Sequence, residues 1–361
     1  MAGLSKELKY MKIFKDLQIN ITTYKLRAGM QLLGVRELMA HYNASYSTVM
    51  KALRELESAG LVESVQGKGI FVKKRNGAND IVRNNLIGLI VTDMNIPFFN
   101  RIIHVIEGEL TSRGYDVIIR NTDFNSVVEK DIISNFIERG VQGVIMVPTF
   151  DELDTSYLAQ VDRDDIDIIY IVRRKHGYNC SFVVPDDYDG GKQAIEFLLE
   201  HGHRDIAYIS GLPIKENDQR FKAFQDTFMH HGLTVNDDWI IYGEKFEFES
   251  GYDSMLRILS QKKKPTALMC YTDSIAAGAM KACRDSGYSI PEDFSVIGYN
   301  NEDITDFIEP NITTVENPIA DICRLAVGSL IEKVENPNQR NTVNQTVLPV
   351  RVVKKKSVRD L

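Results

Sequence analysis

The stretch VRELMAHYNASYSTVMKALRELESAGLVESVQGKGIFV, residues 35–72, determines the fold of the N-terminal part of the chain. Apolar residues recur at helical spacing from Val35 to Tyr42, and the break that follows places Ser45 at the N-cap of a second helix. That helix ends at Gly60, and two short β-prone runs then flank a Gly-Lys-Gly turn. Helix, turn, helix and basic hairpin predict a winged helix-turn-helix, whose second helix enters the major groove of DNA. The apolar face predicted for this second helix consists of Val49, Ala52, Leu53 and Leu56.

The charge distribution separates this interpretation from a small three-helix domain with no role in binding nucleic acid. Residues 1–75 contain 13 Lys and Arg against 6 Asp and Glu, a net charge of +7. The remaining residues contain 30 against 44, a net charge of −14. A basic head on an acidic body favours DNA binding, because neutralisation of phosphates supplies most non-specific affinity.

The same region resembles the GntR family of bacterial regulators in several motifs. They are Arg36-Glu37-Leu38, Ser47-Thr48-Val49, Ala52-Leu53, Leu56-Glu57, Gly60-Leu61-Val62 and Gln66-Gly67-Lys68-Gly69-Ile70-Phe71-Val72. The resemblance implies phosphate contacts by Arg36, Thr48 and Lys68, which need only a charge or a hydroxyl near the backbone. The candidate DNA-binding residues are Arg36, Ser45, Tyr46, Ser47, Thr48, Met50, Lys51, Arg54, Gln66, Gly67, Lys68 and Gly69.

Two of these positions depart from the family. Tyr46 and Met50 stand where GntR-type recognition helices commonly carry arginines, and neither makes the bidentate contact to guanine that arginine makes. We therefore expect a different operator, read by Lys51, Arg54, Ser47 and the Tyr46 hydroxyl, with Met50 against a thymine methyl group.

The flanks of this region complete an N-terminal DNA-binding domain at residues 1–75. A lysine-flanked amphipathic stretch from Leu4 to Tyr24 predicts its first helix, whose lysines either follow DNA phosphates or form a solvated face. A polar, basic, glycine-containing run then predicts a linker at residues 76–85.

Composition bounds the rest of the chain. Its 361 residues, 43% of them hydrophobic, are enough for two or three folded domains. We found no apolar run long enough to span a membrane and no secretory signal, so we expect a cytoplasmic protein. The four cysteines lie far apart without metal-type spacing, which indicates buried thiols and no metal or cofactor.

From Leu86 onward, short β-branched runs alternate with amphipathic helical stretches. This alternation predicts an α/β fold of parallel sheets covered by helices, and the number of strands indicates two lobes. The predicted strands are 86–91, 117–119, 143–147, 168–172, 206–209, 266–271 and 294–298. Ligands of such folds bind at the carboxyl ends of the strands, where this sequence places polar residues.

Residues 86–355 resemble the ligand-binding core of the LacI/GalR family, which has a periplasmic-binding-protein-like fold. The motifs are Ile96-Pro97-Phe98-Phe99, Arg113-Gly114-Tyr115, Gly140-Val141-Gln142-Gly143, Gly202-His203-Arg204, Pro265-Thr266-Ala267-Leu268, Pro291-Glu292-Asp293-Phe294 and Ile312-Thr313-Thr314-Val315. The resemblance implies a homodimer and a sugar-sized effector between two lobes. It also implies crossovers near Asp186, Glu316 and Asn341, so that lobe 1 covers about 86–185 and 316–340 and lobe 2 about 186–315 and 341–361.

Eight residues are candidates for effector binding: Phe98, Phe99, Asp123, Arg173, Arg220, Phe246, Asp273 and Asn300. Phe98, Phe99 and Phe246 match aromatic positions at the cleft, and the alternative for the pair Phe98 and Phe99 is a place in the hydrophobic core. Arg220 matches an arginine position on the first helix of the second lobe. Asp273 either caps a helix or contacts the ligand or the hinge.

Two substitutions in this set bear on the charge of the effector. Arg173 and Asn300 stand where the family usually has aspartates, so that the cleft is more positive than the family pattern. We therefore expect a sugar acid or a phosphorylated sugar, unless Arg173 turns outward and pairs with Asp186 or Asp187.

These observations predict an effector-controlled transcription regulator, most simply a dimeric repressor of carbohydrate-utilisation genes. The alternatives are a sugar-binding receptor whose head binds another partner, and an enzyme. The missing signal peptide argues against a periplasmic receptor, and the missing catalytic motifs argue against an enzyme.

Overall fold

The computed structural model describes residues 9–22, 26, 29–65, 68–73, 85–150, 166–175, 180–214, 218–339 and 342–361. All of the expected linker, residues 76–85, except Asn85 lies outside these ranges. In the described part of the chain, no helix has the length and apolar composition that a membrane span requires.

In the residues of the head that the structure describes, there are three helices and a two-stranded hairpin. The helices are α1 Lys9–Thr22, α2 Val35–Tyr42 and α3 Tyr46–Ser58, and the strands are β1 Val62–Val65 and β2 Gly69–Val72. Ser45 caps α3 as predicted, because its side chain accepts a hydrogen bond from the Thr48 amide. The predicted apolar face of α3 is buried together with residues of α1 and α2. This small core fixes α3 against the other two helices.

The hairpin is anchored by a residue that the sequence motifs do not include. Gln31 forms an isolated antiparallel bridge with Phe71, and its side-chain amide donates to the Lys68 carbonyl at 2.8 Å. Gly69 has a φ of +117°, and a Cβ there would lie 2.5 Å from Gln31 Nε2. Position 69 therefore requires glycine for two reasons: the turn has a positive φ, and Gln31 approaches too closely for a Cβ atom.

The core alternates strands and helices. In chain order these are β3 Leu86–Val91, α4 Pro97–Ser112, β4 Asp116–Asn121, α5 Ser126–Glu138, β5 Gly143–Met146, β6 Asp167–Ile171, β7 Ser181–Pro185, α6 Asp187–Glu200, β8 Ile206–Ser210, α7 Gln219–His230, β9 Ile240–Tyr242, α8 Phe248–Leu259, β10 Ala267–Cys270, α9 Asp273–Asp285, β11 Ser295–Asn300, α10 Ile304–Phe307, β12 Thr313–Glu316, α11 Ile319–Glu335, β13 Gln345–Leu348 and β14 Arg351–Val353.

These elements form two lobes, each built on a six-stranded sheet. The sheet of lobe 1 has the order β13-β7-β6-β5-β3-β4 and is entirely parallel. The sheet of lobe 2 has the order β14-β12-β11-β10-β8-β9 and is parallel except for the edge strand β14. Strands such as β5 and β10 are buried along their whole length, which explains their continuous apolar sequence.

Three crossovers connect the lobes. The first follows β7 at Asp186, and the second follows β12 at Asn317 and Pro318. The third was predicted near Asn341, and this position is wrong, because β13 pairs with β7 in the sheet of lobe 1. The chain crosses between Leu348 and Arg351 instead. Lobe 1 therefore retains the strand that the sequence interpretation assigned to lobe 2.

Candidate functional site

The exposed face of α3 presents the polar side chains that the sequence analysis selected for reading bases. Ser47, Lys51 and Arg54 lie opposite the buried face and are exposed, and Tyr46 at the start of the helix is 61% exposed. Met50 is half-buried and packs against the head core. Ser47, Lys51 and Arg54 therefore share the exposed face of one helix, as insertion of that helix into a groove requires.

The remaining candidate DNA-binding residues flank this surface. Arg36 on α2 is exposed, and the Ser45 and Thr48 hydroxyls lie 2.7 Å apart at the start of α3. Lys68 and Gly69 lie exposed at the turn of the hairpin. Gln66 and Gly67 lie outside the described residues.

One of the proposed base-reading residues is already engaged within the head. The Lys51 ammonium lies 3.9 Å from the centroid of the Tyr10 ring on α1. A cation over an aromatic face contributes about 0.5–1 kcal/mol at an exposed site. Tyr10 thus contacts Lys51 on the exposed face of α3, a contact that none of the sequence motifs indicates.

A cavity of about 500 Å³ lies between the two lobes of the core. Six of the eight candidate effector residues line it: Phe98, Phe99, Arg173, Arg220, Phe246 and Asn300. The volume is within the range typical of small-molecule sites. Phe98 and Phe99 begin α4 beside the cavity and are almost fully buried, so they serve both the cavity wall and the hydrophobic core.

Asp123 and Asp273 are absent from the residues that line the cavity. Asp123 is exposed, has a φ of +50°, and accepts a hydrogen bond from Asn121 Nδ2 at 2.6 Å. Asp273 is not the cap of α9 either, because Thr272 occupies the N-cap and accepts from the Ile275 amide.

Asp273 instead belongs to a buried polar network in lobe 2. It is fully buried and accepts hydrogen bonds from the Thr314 hydroxyl and the Glu302 amide. Burial, reinforced by the nearby Glu302 carboxylate, raises the pKa of Asp273 well above its ordinary value. Its position within the lobe makes it a structural residue rather than part of the cavity wall.

Arg220 is held by an ion pair and by aromatic rings. Its Nε donates to Asp187 Oδ1 at 3.0 Å and its Nη1 to the Tyr271 carbonyl at 2.8 Å. The guanidinium lies 3.6 Å from the Tyr299 ring centroid and 4.5 Å from that of Tyr271. Burial opposes its charge, but Asp187 and the surrounding tyrosines outweigh burial and raise its pKa above the ordinary value.

Arg173 lies on the lobe 1 side of the cavity and does not make the outward pair with Asp186 or Asp187 considered above. Its Nε donates to the Pro148 carbonyl at 2.6 Å, and its Nη2 to the Thr92 hydroxyl at 3.3 Å. The guanidinium lies 3.9 Å from the Phe150 ring centroid. Burial lowers its pKa to about 10, although Tyr271 and Glu129 oppose this change.

Phe124, Phe150 and Tyr271 are among the aromatic residues of the cavity that the sequence analysis missed. Phe124 and Phe150 stack with nearly parallel rings on the lobe 1 side, and both pack against Phe246 of lobe 2. Tyr271 stacks on Phe246 from the other side at 5.0 Å. All three follow the carboxyl ends of strands, which is the signal that would have identified them.

The candidate effector residues also did not include three aspartates of the cavity wall. Asp186, Asp187 and Asp218 line the cavity, and they balance part of the positive charge that the sequence analysis expected there. Four cations against three aspartates leave one net positive charge among the lining residues, a smaller excess than the sequence analysis expected. The excess lies on the lobe 1 wall, where Arg173, Arg174 and Lys175 follow β6.

Asn300 connects the cavity to the second crossover. It is buried, and its Oδ1 accepts a hydrogen bond from Asn317 Nδ2 at 2.9 Å. Its Nδ2 donates to Glu302 Oε1 at 3.2 Å. A ligand that contacts Asn300 would thus also affect the chain segment that joins the lobes.

Comparisons with known proteins agree with this division of the chain. Residues 9–72 match the family of bacterial regulatory proteins called gntR, and residues 195–358 match the periplasmic binding protein-like domain. The HTH-type transcriptional repressor PurR of Photobacterium profundum is 30% identical over 277 residues, which cover 76% of this chain and 81% of the relative. The HTH-type transcriptional repressor PurR of Pasteurella multocida is 31% identical over 259 residues, which cover 71% of this chain and 77% of that relative.

Two solved structures share the fold of the core. A LacI family transcriptional regulator from Enterococcus faecium with bound ribose is 26% identical, with a TM-score of 0.68, covering 76% of this chain and 99% of its own. A putative ribose operon repressor from Burkholderia thailandensis is 28% identical, with a TM-score of 0.66, and the match covers 75% of this chain and 99% of that structure's chain.

Proposed function

Because this chain belongs to the LacI family of bacterial transcription repressors, with a GntR-family DNA-binding head, we propose that a sugar or an anionic sugar derivative controls its binding to operator DNA. The observation that carries the proposal is the cavity between the lobes, whose aromatic and arginine side chains come from both sides. A ligand that contacts both walls changes the free-energy difference between open and closed arrangements of the lobes. The chain is a regulator rather than an enzyme.

The ligand class follows from the chemistry of the wall. Phe98, Phe99 and Phe246 offer flat apolar faces of the kind that stack on the apolar face of a sugar ring. Arginine, aspartate and asparagine side chains around them match the donors and acceptors of hydroxyl groups. The related regulator with bound ribose supports a sugar as the parent compound.

We further propose that the chain acts in the cytoplasm as a homodimer on a two-fold symmetric operator and represses genes for carbohydrate use. One head of this size offers few contacts, and dimeric regulators gain affinity by placing two heads on two half-sites. Binding to DNA is expected to weaken steeply as salt concentration rises, since the exposed cations of the head contact phosphates.

The test is a gel-shift titration of the full chain with the DNA upstream of its own coding sequence, with and without ribose, glucuronate and ribose 5-phosphate. We expect specific binding that one of the sugars changes at least several-fold. Binding no tighter than to random DNA would contradict the repressor assignment for this operator region and favour a head that binds another partner.

Substitutions in the head distinguish residues that contact DNA phosphates from residues that read the bases. Lys68→Ala should weaken binding to all sequences and reduce the salt slope by about 0.9, the value for one lost phosphate contact. Lys51→Ala or Tyr46→Ala should alter sequence preference instead. Arg113→Ala, an exposed arginine in lobe 1, is the matched control and should leave both quantities unchanged.

A further inference from the structure

Charged side chains on the cavity wall are separated by lobe. Arg173, Arg174 and Lys175 lie on the lobe 1 wall. Asp187 and Asp218 lie with Arg220 on the lobe 2 wall, and Asp186 lies at the first crossover. The lobe 1 wall is therefore positive and the opposite wall is negative.

The charges of the negative wall already have partners within the protein. Asp187 accepts from Arg220 and from the Tyr299 hydroxyl, at 3.0 and 3.1 Å. Asp186 caps α6, and Asp218 caps α7 by accepting from two backbone amides. Arg220, the cation of this wall, is thus neutralised by Asp187 and is not the group that selects a ligand charge.

The three cations of the lobe 1 wall differ in their surroundings. Lys175 is buried and forms an ion pair with the fully buried Glu129 at 2.5 Å. Arg174 is exposed, and its guanidinium lies 4.7 Å from the centroid of the Phe182 ring. Solvent stabilises the charge of Arg174, and Glu129 stabilises that of Lys175.

Arg173 is only partly exposed and forms no ion pair with any residue that the structure describes, so solvent and carboxylates stabilise its charge less. Its hydrogen bonds go to a carbonyl and a hydroxyl, and its other close contact is the face of Phe150. Neutral acceptors stabilise a desolvated guanidinium less than a carboxylate or a phosphate does, because hydrogen bonds between ions are the stronger ones. The lowered pKa of Arg173 is consistent with this poor compensation.

We propose that the effector binds in one orientation, with a carboxylate or phosphate group at Arg173 on lobe 1 and hydroxyl groups toward Asp187 and Asp218 on lobe 2. This inference rests on the proposed function, since it assumes that the cavity holds the effector. A monoanionic sugar derivative satisfies both walls. A neutral sugar leaves Arg173 without a counter-ion. A sugar with an anionic group at each end would place one of these groups against the aspartates of lobe 2, which repel it.

The first test uses inorganic phosphate as the probe and needs no knowledge of the effector. The melting temperature of the full chain is measured against phosphate concentration, with chloride at equal ionic strength as reference. We expect phosphate to raise it more than chloride does, and we expect Arg173→Gln to abolish the difference. Arg113→Gln should retain it. No phosphate-specific rise in the unmodified chain, or an equal rise in Arg173→Gln, would overturn the proposal.

The second test compares ribose 5-phosphate with ribose, and glucuronate with glucose, by calorimetric titration without DNA. In at least one pair the anion should bind about ten-fold to a hundred-fold more tightly, and Arg173→Gln should remove that advantage. Tight binding of a neutral sugar that Arg173→Gln does not change would overturn the anion assignment and leave the proposed function intact. Conversely, anion binding at Arg173 without any effect on DNA binding would contradict only the proposed function.

Discussion

The ring of Phe150 in lobe 1 lies 5.7 Å, centroid to centroid, from the ring of Phe246 in lobe 2. Phe124 extends the contact on the lobe 1 side at 5.8 Å from Phe246, and Tyr271 extends it on the other. The guanidinium of Arg173 and that of Arg220 stack on the two ends, over Phe150 and Tyr271. A continuous series of ring and cation contacts therefore crosses the cleft between the lobes.

This series of contacts predicts the effect of Phe246→Ala. Aromatic pairs contribute about 0.5–1.5 kcal/mol each beyond burial of their area, and this substitution removes contacts with three rings. We expect a more open core, detected as a larger radius of gyration in small-angle X-ray scattering, and at least ten-fold weaker effector binding.

Tyr242→Ala is the control for this experiment, because Tyr242 is half-exposed on lobe 2 and does not line the cavity. An unchanged radius of gyration in Phe246→Ala would show that the crossovers alone, and not the aromatic contacts, hold the lobes together.

The hairpin of the head predicts a specific requirement for glycine at position 69. Gly69→Ala would combine a positive φ with a Cβ that displaces Gln31 from the turn. We expect a loss of about 1–2 kcal/mol in the stability of the head from the backbone term and about ten-fold weaker DNA binding. The measurements are urea unfolding and gel shift.

The variant Gly60→Ala distinguishes the effect of backbone strain from the effect of displacing Gln31. Gly60 also has a positive φ, of +70°, but a Cβ there meets nothing within 4 Å. It should lose similar stability and retain DNA affinity. Equal losses of affinity in both variants would indicate that backbone strain, rather than displacement of Gln31, controls the hairpin.

His203 predicts a pH dependence in lobe 2. It is buried, with Nδ1 2.9 Å from the Thr266 hydroxyl and Nε2 3.2 Å from the Arg359 carbonyl. Burial lowers its pKa below the ordinary value of 6.5. The unfolded chain therefore takes up a proton near pH 6.5 before the folded chain does, and this group's contribution to stability is lost as pH falls from there toward the lower folded pKa.

The measurement is urea unfolding between pH 7.5 and pH 5. His203→Gln should have a lower free energy of unfolding than the unmodified chain at pH 7.5. This difference in free energy should be smaller at pH 5. His230→Gln, at an exposed position, should follow the unmodified chain throughout. A gap that stays constant with pH would mean that His203 does not titrate differently on folding.

The sequence predicted the head and the centres of both sheets because their patterns are local. The buried face of α3 follows from helical spacing, and the central strands follow from continuous β-branched runs. The edge strands β9, β13 and β14 have only three or four residues each and are partly exposed, so their sequences are too short to show a strand pattern. Missing β13 is what displaced the third crossover.

The cavity was predicted less completely for a physical reason. Motif positions identified Phe98, Arg220 and Asn300, but pairing partners such as Asp187 depend on how separate segments pack. Asp273 shows the converse case: an acid after a strand suggests a helix cap or a contact with the ligand or the hinge, whereas Thr272 caps the helix and Asp273 is buried within lobe 2.

The pair of Asn300 and Glu302 carries the last prediction. Asn300 Nδ2 donates to Glu302 Oε1, and burial raises the pKa of Glu302 despite this bond and one from Ser274. Asn300→Asp, which restores the residue that is usual in the family, would place two carboxylates together in the buried network. We expect the single substitution to destabilise the chain by about 1–3 kcal/mol at pH 8, and by less at pH 5, where one carboxyl retains its proton more readily.

The double variant Asn300→Asp/Glu302→Gln distinguishes charge repulsion from a change of shape. Glutamine at position 302 supplies a donor to the carboxylate introduced at position 300, so the double variant should recover most of the lost stability in a double-mutant cycle followed by urea unfolding. Additive losses would contradict the prediction. Recovery would show that Asn300 in this chain is matched to Glu302, so that the fold requires an uncharged side chain at this corner of the cavity.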